Sequence, residues 1–282
     1  MRRFLRGLGF YAALFVLTLF AVFPCIWAVI TIFKKSSDLY TANANPFLYH
    51  PGPTLSHLTY LFTDTNFMTF VLNSVLIGVC VVAITLLLAV PAAYALARLT
   101  GRWGERSGMV LFLVYLIPPT LLFLPMYQLV TMLGLADTIW ALVVVYPTIT
   151  IPFCTWLLLG FFKSMPGDLD EAAMIDGCSR FGAFLRISLP LALPGIGACI
   201  VFAFSLQLSD YIYAATFVTS ASAMPLSVGV PTQLVRGDVF FWQALMAADA
   251  IVAIPLTLAY GLLFDRLVSG FQSAETSAAQ AA

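Results

Sequence analysis

Residues 171–190 read EAAMIDGCSRFGAFLRISLP, placing Glu171, Asp176, Arg180 and Arg186 between two long apolar stretches. Only 9% of the chain is charged, so this local density marks a surface suited to ion pairing or to docking another protein. Two further acids, Asp210 and Asp249, fall inside apolar stretches. Ionisable groups in such segments are costly and are functional candidates by default. Gln207, Tyr211 and Tyr213 stand beside Asp210. Carboxylates and amides bond hydroxyl groups, and aromatic rings stack on the apolar face of a sugar, so this cluster suits a polyhydroxylated solute. The competing role for Asp210 is hydration near a membrane interface or a bond to a neighbouring helix. Asp249 lies in Ala247-Ala248-Asp249-Ala250 and is expected to hydrogen-bond across a close helix–helix contact.

Other chemistries lack their residues. No G-x-x-x-x-G-K-[ST] phosphate loop occurs, and Gly160-Phe161-Phe162-Lys163-Ser164 has the Lys-Ser pair without the glycines. H-E-x-x-H and G-x-S-x-G are absent. The five cysteines, Cys25, Cys80, Cys154, Cys178 and Cys199, form no C-x-x-C pair and read as small buried hydrophobes. His50 and His57 are the only histidines, which argues against a His-rich metal site. The chain is therefore expected to have no catalytic residue, no metal ligand and no cofactor of its own.

The elements that position these groups are set by composition. Of 282 residues 61% are hydrophobic, with a mean hydropathy of +0.98. A soluble domain carries about 25% charged residues, so the solvent here must be lipid. Thirteen basic residues balance thirteen acidic ones, which excludes the basic face that nucleic acid requires. Six stretches are long enough to span a bilayer: 8–33, 71–97, 108–130, 138–162, 191–217 and 241–264. The first is too long for a secretion signal, and Thr41-Ala42-Asn43-Ala44 is a poor cleavage site beyond Lys34 and Lys35, so an uncleaved helix is expected.

Lysine and arginine then orient the spans. With the N-terminus inside, Arg2, Arg3, Arg6, Arg98, Arg102, Arg106, Lys163, Arg180, Arg186 and Arg266 lie inside, and only Lys34, Lys35 and Arg236 lie outside. The charge bias predicts an all-α membrane protein of six transmembrane helices with both termini cytoplasmic. One transmembrane domain covers 1–266, with a cytoplasmic loop at about 164–190. A short polar tail, 267–282, awaits a partner to order it. Prolines 118, 119, 125, 147 and 152 are expected to kink the third and fourth spans, and Pro46, Pro51 and Pro53 to break regular structure in the first outer loop.

Within the cytoplasmic loop, Pro166-Gly167-Asp168 reads as a turn. Asp168 and Glu171 form a candidate capping box, and Asp170 and Glu171 suit a positive helix N-terminus. Gly177 can adopt the left-handed conformation that stops the helix. Ser179 is placed to cap a second helix over Arg180 to Leu189, bounded by Pro190. Two short helices bent at a glycine result. Ala172 and Ala173 would let another protein approach the backbone, and Glu171 offers a charge to it.

The order E-A-A, three residues, Gly177, nine residues, then Ile187-Ser188-Leu189-Pro190 resembles the EAA loop of permease subunits of binding-protein-dependent ABC importers. The resemblance runs along the chain through Asn73-Ser74, Ala92-Ala93-Tyr94-Ala95-Leu96-Ala97-Arg98, Pro118, Pro125-Met126-Tyr127, Leu133-Gly134-Leu135-Ala136-Asp137-Thr138 and Phe161-Phe162-Lys163-Ser164-Met165-Pro166. Together these look like the maltose-permease-like second subunit of the carbohydrate branch. The resemblance implies a type I ABC importer transmembrane fold in the bacterial inner membrane. It implies that Glu171, Ala172, Ala173 and Gly177, with the adjoining Asp176 and Arg180, couple to a separate ATPase that carries the ATP and Mg. It further implies a second related permease, two ATPase subunits, an extracytoplasmic solute-binding protein and a carbohydrate substrate. Three departures are visible. Cys178 replaces the usual small residue, Leu208-Ser209-Asp210-Tyr211 replaces the branch's Trp-Asn-Glu-Phe, and the tail continues as Ser269-Gly270-Phe271. The reading from another class is an autonomous ion-coupled transporter using Asp210 or Asp249.

Overall fold

The computed structural model describes residues 2–40, 45, 47–50 and 52–280. Thr41–Ala44, Pro46 and Pro51, and the side chains of Arg2, Arg3, Arg6, Arg266 and the tail 267–282, lie outside the described residues. In chain order the helices begin with α1 (Arg2–Ile32), α2 (Ser36–Tyr40), α3 (Ser56–Thr63) and α4 (Phe67–Arg98). Next come α5 (Arg102–Tyr115), α6 (Pro119–Met132), α7 (Ile139–Ser164), α8 (Asp168–Ile175) and α9 (Arg180–Ala183). A π-helical segment, Phe184–Ser188, leads into α10 (Leu189–Leu191), α11 (Leu193–Ser209) and α12 (Ile212–Phe217). Then follow α13 (Leu226–Leu234), a two-stranded antiparallel hairpin and α14 (Trp242–Gln280). The hairpin pairs β1 (Val235–Arg236) with β2 (Val239–Phe240), Val235 opposite Phe240, around Gly237 at φ +59°.

Among the described residues, four helical stretches are long and apolar enough to cross a bilayer: Gly9–Ile32, Phe67–Arg98, Ile139–Ser164 and Trp242–Gly261. Two more spans exist if each of two bent pairs is counted as one: α5 with α6, bent by 88°, and Arg180–Leu191 with α11, bent by 70°. The third expected span is thus a broken one. Its break falls at Pro118-Pro119, where Pro118 is extended at ψ 123° and Pro119 occupies the first turn of α6. A proline forces the residue before it out of the helical region, so tandem prolines end one helix and start the next. The fourth span is not broken: α7 runs through Pro147 and Pro152 as one helix. The fifth ends earlier than expected, at Ser209, with Asp210 extended at φ −76°, ψ 124° and α12 beginning at Ile212.

The described chain divides into two compact units. One contains the residues up to Met68 with Gly229–Leu256. Here Asp38 is buried between Lys34 at 3.9 Å and the His50 Nδ1 at 2.9 Å. Tyr60 stacks on Phe241 at 5.4 Å, and the Asn66 amide donates to Gln233 Oε1.

The other unit contains Thr69–Val228 and the residues from Thr257 onward. It has two apolar cores. The first gathers Ile77 and Val81 of α4, Leu142 and Tyr146 of α7, and Tyr213 and Phe217 of α12. The second gathers Ala89, Ala93 and Tyr94 of α4, Leu158 and Phe162 of α7, Phe184 and Cys199. Glycines admit the closest approaches. A Cβ on Gly108 would come within 2.2 Å of Leu159 Cδ2, and one on Gly195 within 2.7 Å of the Phe161 ring. Small residues at such crossings let membrane helices pack without a hydrophobic drive.

Candidate functional site

The charged loop folds as two short helices about a glycine turn. Asp168 does not cap α8. The preceding Gly167 holds the N-cap position with no side-chain bond, and Asp168 is the first helical residue, so the expected capping box is absent. Asp168, Asp170 and Glu171 instead crowd the first turn, where carboxylates offset the positive end of the helix dipole. Asp170 points inward, as described below. At the other end Gly177 takes φ +90°. Its N–H donates to Met174 O at 3.1 Å and the Cys178 N–H to Ala173 O at 3.0 Å. This is the paired-bond Schellman turn that satisfies the last carbonyls of a helix. Ser179 then caps α9, its Oγ accepting from the Gly182 N–H at 3.1 Å. The second helix of the loop relaxes into the π-helical segment after four residues, rather than running straight to Leu189 as the sequence suggests.

Glu171, Ala172, Asp176, Gly177 and Arg180 are all exposed, and Ala173 is buried. The two alanines therefore serve opposite faces: Ala172 is open to a partner, while Ala173 packs inward. Beside them Ile175 is 86% exposed and Phe181 68%. An acid, a methyl, a turn and two bulky apolar side chains are thus presented together on one exposed face of a charged loop, a combination chemically suited to protein contact.

A second set of contacts lies beneath that surface, and sequence reasoning missed it. Asp170 is buried and accepts from Ser188 Oγ at 2.6 Å through Oδ1, and from Tyr94 Oη at 3.2 Å through Oδ2. Arg98 Nε lies 3.5 Å from the same Oδ2. Arg98 Nη2 donates to the carbonyls of Met165 at 3.0 Å and Pro166 at 3.3 Å. The available signal was that Tyr94 and Arg98, four residues apart, share one face at the end of α4.

The candidate pathway residues are gathered at the α11–α12 break. Asp210 Oδ2 accepts from Tyr146 Oη at 2.9 Å and from the N–H groups of Tyr213 at 3.1 Å and Ala214 at 3.2 Å. The carboxylate thus caps α12 and ties it to α7. Tyr213 Oη donates to Pro119 O at 2.6 Å, joining this break to the one between α5 and α6. Gln207 is buried, donates through Nε2 to Ser74 O at 3.3 Å, and leaves its Oε1 without a partner among the described residues. Tyr211 is exposed. Asp249 does not bond across a helix contact. Ala247 and Ala248 are buried, whereas Asp249, a further 100° around the helix, is exposed with no hydrogen bond or ion pair among the described residues.

Asp137, ahead of α7, adopts φ 60° and accepts from the N–H groups of Thr219 and Ser220, both at 2.7 Å, and from both their hydroxyls. The Ser220 hydroxyl and amide, followed by the Thr219 amide, lower the Asp137 pKa from 3.8 to about 2.

Long apolar helices, two of them bent at breaks, a charged loop bent at a glycine and a polar cluster at a break are the features of a multi-pass transport subunit. The chain belongs to the family of binding-protein-dependent transport system inner membrane components, whose description matches residues 86–272. Among similar proteins, the sulfoquinovosyl glycerol transport system permease protein of Agrobacterium fabrum is 32% identical over 94% of this chain and 92% of its own. The diacetylchitobiose uptake system permease protein of Streptomyces coelicolor is 31% identical over 90% and 91%. The trehalose/maltose transport system permease protein of Thermococcus litoralis is 30% identical over 90% and 91%. In fold, the chain resembles a crystal structure of a bacterial ABC transporter involved in the import of alginate, with TM-score 0.79, 19% identity, and coverage of 93% of this chain and 96% of that one.

Proposed function

We propose that this chain forms half of the translocation pathway of an ATP-driven importer for a carbohydrate or related polyhydroxylated solute. It pairs with a second, related permease. Two copies of a separate ATPase, which hold ATP and Mg, dock on the loop of about 164–190 at the cytoplasmic face. An extracytoplasmic binding protein delivers the solute. The observation that carries this reading is the docking surface: Glu171, Ala172, Ile175, Gly177, Arg180 and Phe181 exposed together on the EAA-type loop. The sugar named for three of the relatives supports the solute class.

At the α11–α12 break, the exposed Tyr211 is the group open to a hydroxylated solute, Gln207 is buried against Ser74, and Asp210 and Tyr213 hold the break in shape. Closure of the ATPases on ATP displaces the loop, and the spans swing to open the pathway outward.

The test begins with gentle detergent purification from native membranes and mass spectrometry of what accompanies the chain. A Walker-type ATPase and a second multi-span permease are expected. Glu171→Lys and Gly177→Pro should abolish uptake while membrane insertion continues, because proline cannot hold the φ of +90° that the turn requires. Uptake by the purified chain alone, driven by an ion gradient, would overturn the reading in favour of an ion-coupled carrier.

A further inference from the structure

Of the four acids in the loop, Asp168, Glu171 and Asp176 are exposed and Asp170 is buried. The buried side chains of α8 are Asp170 and Ala173, three residues apart on its inner face. Ala173 supplies one methyl group. Asp170 supplies a carboxylate with both oxygens engaged, one by Ser188 and one by Tyr94 and Arg98. The attachment of α8 to the unit beneath is therefore mainly polar.

The partners come from different elements. Tyr94 and Arg98 are one turn apart at the end of α4. Ser188 closes the π-helical segment that feeds α10 and α11. Arg98 also holds the Met165 and Pro166 carbonyls, where α7 gives way to the loop. Two rings brace the cluster: Tyr94 packs on Phe184 of the π-helical segment at 4.7 Å and on Phe162 of α7 at 5.6 Å. One buried carboxylate thus joins the outer docking helix to three elements that continue into the membrane.

The type of bond matters. Apolar contacts permit sliding at little cost, whereas hydrogen bonds weaken steeply with angle and a buried charge separated from its partner is strongly penalised. A force on the exposed face of α8 will be passed on most stiffly through Asp170. We propose that Asp170, Tyr94, Arg98 and Ser188 form the linkage that transmits displacement of the docking loop to α4 and to the start of α11. The linkage rests on the permease reading above. These are positioning residues, and none is placed to touch the ATPase or the solute.

The test needs no identified solute. The complex that co-purifies with the chain carries Ser209→Cys, an exposed position at the far end of α11. Labelling of position 209 by a water-soluble maleimide is followed peptide by peptide, with and without ATP and vanadate. The unaltered cluster should show a nucleotide-dependent change in labelling rate. Asp170→Asn and Arg98→Met should retain the ATPase, hydrolyse ATP, and lose about fivefold or more of that change. Arg98→Lys, which keeps the charge, should restore part of it, and Tyr94→Phe, which keeps the ring packing, should lose less. Full nucleotide-dependent change in Asp170→Asn or Arg98→Met overturns the linkage. So does loss of the ATPase from those variants, which would make the cluster part of the docking surface. Failure of the unaltered chain to bring down any ATPase overturns the permease reading itself, and the linkage with it.

Discussion

Asp137 owes its acidity to four donors from Thr219 and Ser220, which favour its charged form. Its pKa of about 2 lies below the ordinary 3.8, so the folded state gains from the ionised carboxylate. That gain is fully present above about pH 4 and is lost as pH falls towards 2. Thermal unfolding in detergent between pH 5 and 2 should show a steeper loss for the wild type than for Asp137→Asn, the two curves converging at the acid end. Asp210 makes a second prediction at this scale. Asp210→Ala would leave the buried Tyr146 hydroxyl and the first amides of α12 without their acceptor, at a cost of about 2–3 kcal/mol. Asp210→Asn keeps an acceptor and should cost less, as read from the same unfolding assay. The sequence flagged Asp210 through its apolar neighbours. It did not reveal that the carboxylate is occupied by Tyr146, 64 residues away. Asp170 was harder still, because an acid beside Glu171 reads as one more surface charge until its partner from α4, 76 residues distant, is in place.

At the scale of elements, helix identity was legible and helix continuity was not. Apolar length marked the six stretches, and glycine and serine marked the turn at Gly177 and the cap at Ser179. Proline alone does not say where a span will break. Pro118-Pro119 breaks one, while Pro147 and Pro152 remain inside α7. Tandem prolines constrain the backbone on both sides of one bond, whereas each isolated proline removes one hydrogen bond that surrounding packing can absorb. The close crossings are equally local. Gly108→Val and Gly195→Val force a Cβ into Leu159 and the Phe161 ring, and overpacking of this kind costs about 1–3 kcal/mol. Both variants should unfold at lower temperature, while Gly134→Ala tests a different rule. It has open space around it but a φ of +70°, so its penalty is conformational alone.

For the whole molecule, the basic residues predict an orientation that labelling can check. In cells stripped of the outer membrane, Ser220→Cys should react with an impermeant maleimide and Cys178 should not, until the membrane is opened. Reaction of Cys178 from outside would reverse the orientation and place the docking loop beyond the reach of ATP. The distribution of burial has a further meaning. None of the apolar window in Gly9–Ile32 is buried within the chain, and the family's shared region begins at residue 86. Within α1 every residue from Gly9 to Ile26 is exposed, and burial begins only at Ala28, Thr31 and Ile32. Over that exposed stretch no side chain is fixed by the chain's own interior, so substitutions that keep it apolar and long enough to span should leave the packed cores undisturbed.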